Sequence, residues 1–274
     1  MDFQALPEGC IAHILSYIDI PADLCRLSLV CWAFCSAAES DAIWDRFIPS
    51  DLVSIISRSH SESSSSLLAT SSSKKALYLT LSDHPIIIDH GTKSFQLDKR
   101  TGKKCYMVSA RDLWICWVET PQYWNWTTIP ESRFQQVAVL RAVCWFDIRG
   151  AISTHELSSN THYAAYLVFN MVDPDGFHHY PVELSVGIIG GPISTKNVCL
   201  DPYLEESELD DRFQGLQRPN VRNDGLLEIE MGEFFNSGMG DEVQIRVSET
   251  QSNMWKHGFL LEGIEVRPKM PAGT

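Results

Sequence analysis

The apolar residues of this chain repeat with two different periods, and no single layer of secondary structure accommodates both. Up to residue 48 they recur every three or four positions; beyond residue 110 they alternate in twos, in short runs broken by Gly, Pro and Asp. Between the two lies a serine-rich stretch, 57–73, with almost no apolar side chains to offset the entropy of ordering it. The periods predict a small all-α head over 1–48 and an antiparallel β-sandwich over 105–274. Residues 49–104 are expected to be linker and connector: the serines, then a short helix near 76–81 and a hairpin around 98–102.

The head starts at Leu6-Pro7-Glu8, where proline at a helix start loses no hydrogen bond. Ile11, Ile14, Leu15 and Ile18 then form one apolar stripe, and Pro21 ends that helix. Leu24, Leu27, Val30 and Cys31 repeat the stripe, Phe34 extends it, and Ser40 is a candidate N-cap for a last turn through Trp44. So short a domain has too little interior to hide both stripes, so part of this apolar surface is expected to be covered by a partner.

In the second half, residues 85–89, 141–148, 163–169, 180–186, 226–231, 242–248, 259–261 and 264–267 read as strands. The stretch 114–126 stands apart. It carries four of the eight tryptophans, plus Tyr123, and Pro121 divides it into a strand, a turn and a second aromatic run. Buried, these rings make sandwich core; exposed, they make flat apolar platforms with one polar edge, suited to binding.

Composition excludes several classes. The net charge is −13, and Lys and Arg never gather into a patch, so neither nucleic acid nor an anionic membrane is an expected partner. No secretory signal or 20-residue apolar run is evident, and the eight cysteines lack metal-ligand spacing, which points to cytoplasm and nucleus. Gly187-Ile188-Ile189-Gly190-Gly191 lacks the lysine of a phosphate loop and reads as a turn. His178-His179 and the acidic run 201–211 lack ligand spacing, so no metal and no cofactor is expected. Glu119 is the only acid in the aromatic stretch, whereas glycoside hydrolysis needs a carboxylate pair; no catalytic residue is assigned.

Two resemblances follow from these residues. Leu6-Pro7, Ile11, Ile14-Leu15, Pro21, Asp23-Leu24, Leu27, Val30-Cys31, Phe34 and Trp44 together resemble the F-box motif. That resemblance implies docking onto the Skp-type adaptor of an SCF ubiquitin ligase, with Leu6, Pro7, Ile11, Ile14, Leu15, Leu24, Leu27 and Val30 including the adaptor-facing residues. The segments 109–113, 120–126, 143–150, 163–169, 224–235 and 255–258 are similar to the plant phloem lectins of the phloem protein 2 and Nictaba group. The whole chain thus resembles an F-box lectin of that type.

The second resemblance implies a jelly-roll-like sandwich that binds N-acetylglucosamine oligomers or N-glycan cores on target proteins, with Trp117, Trp124 and Trp126 as sugar-binding residues. A pyranose stacks its C–H face on an aromatic plane while polar groups bond its hydroxyls. Strand alternation, however, puts Leu113, Ile115 and Trp117 on one face, the core face, while Trp124, past Pro121, is freer to meet solvent. Trp117 is then either contact or support. Trp114 stands where the family has a small polar residue, and either enlarges the platform or obstructs it. The expected activity is substrate reception by a non-enzymatic ligase subunit. The alternative keeps the F-box but has the sandwich recognise a protein surface; dimerisation of the β domain is left open.

Overall fold

The computed structural model describes residues 6–59, 67–69, 71–205 and 210–269. The chain divides into two compact units, residues 1–90 with 94–105, and residues 91–93 with 106–274.

The first unit begins with α1 (Glu8–Leu15), α2 (Pro21–Leu27), α3 (Trp32–Ala38) and α4 (Asp41–Trp44), which runs into a 3-10 turn (Asp45–Phe47). Pro7 caps α1 through its carbonyl, which accepts from Cys10 N at 2.8 Å, and Pro21 opens α2. Ile11, Leu15, Leu24 and Phe34 are buried between α1, α2 and α3. The second stripe is not one helix. The chain breaks after Leu27, and Leu29 to Cys31 lie in the turn before α3. Ser40 occupies the N-cap of α4, but its side chain makes no capping bond.

The region expected to link the halves is built into this unit over its described residues. It supplies α5 (Leu52–Ser57), α6 (Lys74–Asp83) and β1 (Ile86–Ile88). Residues 60–66 and 70 of the serine-rich stretch lie outside the described residues. Its described ends are ordered, against expectation: Ser57 closes α5, residues 67–69 form a helical turn, and Ser73 caps α6 by accepting from Ala76 N at 3.1 Å. Tyr78 explains the attachment. Its ring lies 5.2 Å from that of Trp44 and 6.2 Å from that of Phe47, while its hydroxyl donates to the carbonyls of Asp98 and Lys99, both at 3.1 Å. A buried tyrosine needs such a partner, and here the partner is the 98–102 loop that sequence had marked as a hairpin turn.

The division between units falls within β2 (Lys93–Leu97) and β3 (Lys104–Ser109). The second unit then adds β4 (Trp114–Ile115), β5 (Trp124–Thr127), β6 (Val137–Leu140), β7 (Phe146–Ser153), β8 (Thr161–Asp175), β9 (Val182–Ile188), β10 (Ile193–Val198), β11 (Asn220–Val221), β12 (Leu227–Asn236), β13 (Glu242–Glu249) and β14 (His257–Pro268). In one sheet β14 pairs with β8, β8 with β12, and β12 with β11; on its other side β14 meets β3 and β6, and β6 carries β5. The second sheet runs β10-β9-β13-β7-β4, and every named pair in both is antiparallel. Phe146 of β7 packs edge-on against Phe259 of β14 at 5.2 Å, and Phe169 stacks on Phe259 at 5.2 Å, so the core lies between the sheets.

Three strand boundaries differ from the sequence reading. Residues 259–267 belong to one strand with a register shift at Leu261/Gly263. β8 runs on to Asp175, six residues beyond the expected end. β7 passes through Gly150 instead of stopping there, because a Cβ at 150 would come within 2.5 Å of Leu113 Cδ2; the glycine permits close packing and marks no turn.

Candidate functional site

Trp114 and Ile115 form β4, and the strand ends there. Val118 N donates to Ile115 O at 3.2 Å and Thr120 N to Trp117 O at 3.0 Å, closing two successive turns. Trp117 sits between them with φ +60°, a left-handed conformation uncommon for a bulky residue. That conformation breaks the period-2 alternation, so Trp117 does not follow Leu113 and Ile115 inward. It is 43 % exposed, where alternation predicted core.

Trp124 shows the opposite reversal. It is 2 % exposed, stacked over Phe146 at 6.4 Å, and its indole N–H donates to Cys116 O at 3.0 Å. Trp124 therefore supports from beneath the turn that presents Trp117. Trp126 is half-buried, with the Arg111 guanidinium 3.6 Å from its ring centroid, and Arg111 is held in turn by Gln136 Oε1 at 3.0 Å. Of the three tryptophans assigned from the sequence, only Trp117 offers an open ring.

Its companions come from elsewhere. The Trp117 and Tyr123 rings lie 5.3 Å apart, tilted by 40°; Tyr123 and Trp255 lie 6.4 Å apart within 30° of parallel. Trp255 is 55 % exposed. The three rings form a near-continuous shallow surface contributed by two distant segments. Tyr123 stands in the aromatic stretch and Trp255 in a segment already quoted for its resemblance, but nothing in the sequence shows that they meet.

A buried charge pair fixes Trp255. The Lys256 side chain is fully buried and paired with the Glu249 carboxylate. Its ammonium also reaches the carbonyls of Cys144 at 3.2 Å and Met254 at 3.1 Å, and Ser252 Oγ at 3.2 Å. Val143 and Lys256 exchange backbone hydrogen bonds of 3.0 and 2.7 Å, so one ammonium ties the end of β13, the 250–255 loop and the 143–144 segment together. Burial alone would raise the Glu249 carboxyl, but bonds from Lys256 and Ser252 hold it below the ordinary value. Behind the same loop, Gly176 (φ +82°) passes so close to Trp255 O that a Cβ there would lie 2.0 Å away. No pattern in the sequence marks Lys256 as buried: a lone lysine beside a tryptophan reads as surface.

On the head, the predicted adaptor residues separate by burial. Ile11, Leu15 and Leu24 are core; Leu27 is half-buried; Leu6, Pro7, Ile14 and Val30 face outward. The helix break adds two residues that sequence missed, Leu29 at 85 % exposed and Trp32 at 81 %. Leu6 and Trp32 line one depression with Glu8 and Cys31, and Ser36 Oγ donates to Glu8 Oε1 at 2.7 Å beside it. The run of apolar residues across 27–32 is the signal that could have found them.

His178 stands 3.7 Å from Asp175, but among the described residues no group of three His, Cys, Asp or Glu is arranged to hold a metal.

The chain thus pairs a helical head that exposes apolar side chains with a two-sheet β domain that exposes an aromatic surface. Residues 3–50 match the F-box-like domain and residues 103–268 match phloem protein 2. F-box protein At2g02240 of Arabidopsis thaliana is 41% identical over 97% of this chain and 80% of its own length. F-box protein PP2-B10 of the same plant is 41% identical over 97% of this chain and 94% of its own. Among solved structures, the mannan-recognising module TmCBM27 aligns with 58% of this chain and 90% of its own, at 10% identity and a TM-score of 0.30, too low to carry an argument. The chain belongs to the phloem protein 2 family, as a member whose β domain follows an F-box-like head.

Proposed function

We propose that this chain is a substrate-receptor subunit of an SCF-type ubiquitin ligase. The head docks on a Skp-type adaptor, and the β domain holds N-acetylglucosamine oligomers or N-glycans of target proteins. The observation that carries the glycan half is the Trp117–Tyr123–Trp255 surface: three rings in sequence, two of them tryptophans about half exposed, over a support held by buried hydrogen bonds. A sugar stacks on such a surface without displacing structure, and the N-acetyl methyl adds apolar contact. No covalent step is required of any residue.

Trp117→Ala removes one stacking ring and leaves the core untouched. Chito-oligosaccharide binding should weaken about tenfold, equivalent to ~1.4 kcal/mol, with the melting temperature nearly unchanged. Calorimetric titration of the full chain measures the first and scanning calorimetry the second. Wild-type affinity in Trp117→Ala and in Trp255→Ala would remove these rings as the glycan-binding surface, and no chito-oligosaccharide binding by the wild type would favour recognition of a protein surface.

For the head, Leu29→Asp with Trp32→Asp places charges on exposed apolar anchors. Each should cost about 2 kcal/mol or more if it is an interface hot spot, enough together to abolish co-purification with the adaptor. Undiminished capture of the double variant would contradict adaptor docking.

A further inference from the structure

The outer face of the five-stranded sheet has an arrangement of its own, apart from the aromatic surface. Register aligns Trp114, Arg149, Arg246 and Ser185 in one row across β4, β7, β13 and β9. In the next row Ala151 and Gly187 flank Gln244; Ile193 closes over Gly187, and a trough of about 670 Å³ opens along this row with Trp114 on its wall. A second depression of about 330 Å³ lies on the other side of Arg246 and includes Tyr180. Because Arg246 lines both, the two abut. At ~4.8 Å per strand, the five strands give roughly 19 Å of face.

The chemistry of this trough selects its occupant. At each end an aromatic ring carries a guanidinium: Arg149 lies 4.8 Å from the Trp114 centroid and Arg212 lies 4.3 Å from that of Tyr180. Half of Trp114 remains exposed. The charges cancel. Arg149 and Arg246 share the buried Asp147 carboxylate, at 2.6 Å and 2.9 Å, and Arg212 pairs with Asp210 at 2.9 Å. Glu183 adds a further acid on the wall of the second depression. Such a face attracts no polyanion. Guanidinium edges, Gln244 and Ser185 offer donors and acceptors along a shallow floor, between two flat rings.

We propose that this trough is a second saccharide site, which takes a neutral, extended oligosaccharide with one pyranose stacked on Trp114. It is distinct from the Trp117–Tyr123–Trp255 surface, and its existence does not depend on that surface binding sugar. Trp114, out of place as a contributor to the first platform, is the aromatic anchor of this one.

The test is calorimetric titration of the full chain, wild type and Trp117→Ala, with cellohexaose, mannohexaose and chitohexaose, and with hexagalacturonate as the acidic counter-probe. At least one neutral hexasaccharide should bind the Trp117→Ala chain. Trp114→Ala should weaken that binding tenfold or more, and Ala151→Trp, which fills the trough while keeping the anchor, should do the same. Both positions are exposed, so the melting temperature should hold. Binding lost in Trp117→Ala belongs to the first surface, so the two sites fail separately. No neutral hexasaccharide bound by Trp117→Ala, unchanged binding in both trough variants, or binding of hexagalacturonate alone would overturn the proposal.

Discussion

Trp124→Ala should unfold the β domain at a much lower temperature and abolish sugar binding with it. The indole is 2 % exposed, packed against Phe146, and bonded to Cys116 O. Emptying a site of that size costs ~3–5 kcal/mol. For a domain of this length that corresponds to a fall of roughly 6–20 °C in melting temperature. Scanning calorimetry against Trp117→Ala makes the comparison: the buried ring should move the transition, the exposed ring should not. A Trp124→Ala protein that melts like the wild type would mean that the indole is not where the structure puts it.

Lys256→Met should be comparably severe. Removing one partner of a buried ion pair leaves the other charge uncompensated, at a cost of about 3–5 kcal/mol. Here the orphan is Glu249, and the pH dependence identifies it. In the wild type the folded carboxyl lies below its ordinary value of 4.5, so its stabilisation is present above that value and is lost as pH falls through the lower, folded one. In Lys256→Met only the bonds from Ser252 and the Gln251 amide still oppose burial, so the carboxyl moves up and the variant loses less stability on acidification than the wild type does. The melting-temperature gap between wild type and variant should therefore narrow on acidification. Replacing both partners, as in Lys256→Met with Glu249→Leu, should recover much of the loss. A gap that stays constant with pH would place the damage somewhere other than Glu249.

The fold and the recognition surfaces were legible to different depths. Hydrophobic periods gave the helical head, the β domain and most strands, because period depends only on which face is buried. They failed at Trp117 and Trp124, the two residues on which the site depends. Alternation assumes extended backbone, and Trp117 lies in a turn at φ +60°, where the rule does not hold. Trp255 is brought to Tyr123 by contacts such as the Val143–Lys256 bridge, which spans more than a hundred residues and which no local pattern encodes. Leu29 and Trp32 were hidden differently: the stripe was read as one helix, so a break after Leu27 was needed to turn them outward. Buried charge is the least legible of all, since composition gives every lysine the same prior for the surface.

One assembly experiment addresses the central claim, that a single chain couples an adaptor to a glycan. A Skp-type adaptor is immobilised, the full chain is captured on it, and a glycoprotein bearing exposed N-acetylglucosamine is passed over the complex. The expected result is stable capture of the chain followed by retention of the glycoprotein. Trp117→Ala should lose only the second step, and Leu29→Asp with Trp32→Asp only the first. Retention of the glycoprotein that is indifferent to Trp117 and Trp255, or capture of the chain that is indifferent to Leu29 and Trp32, would contradict it.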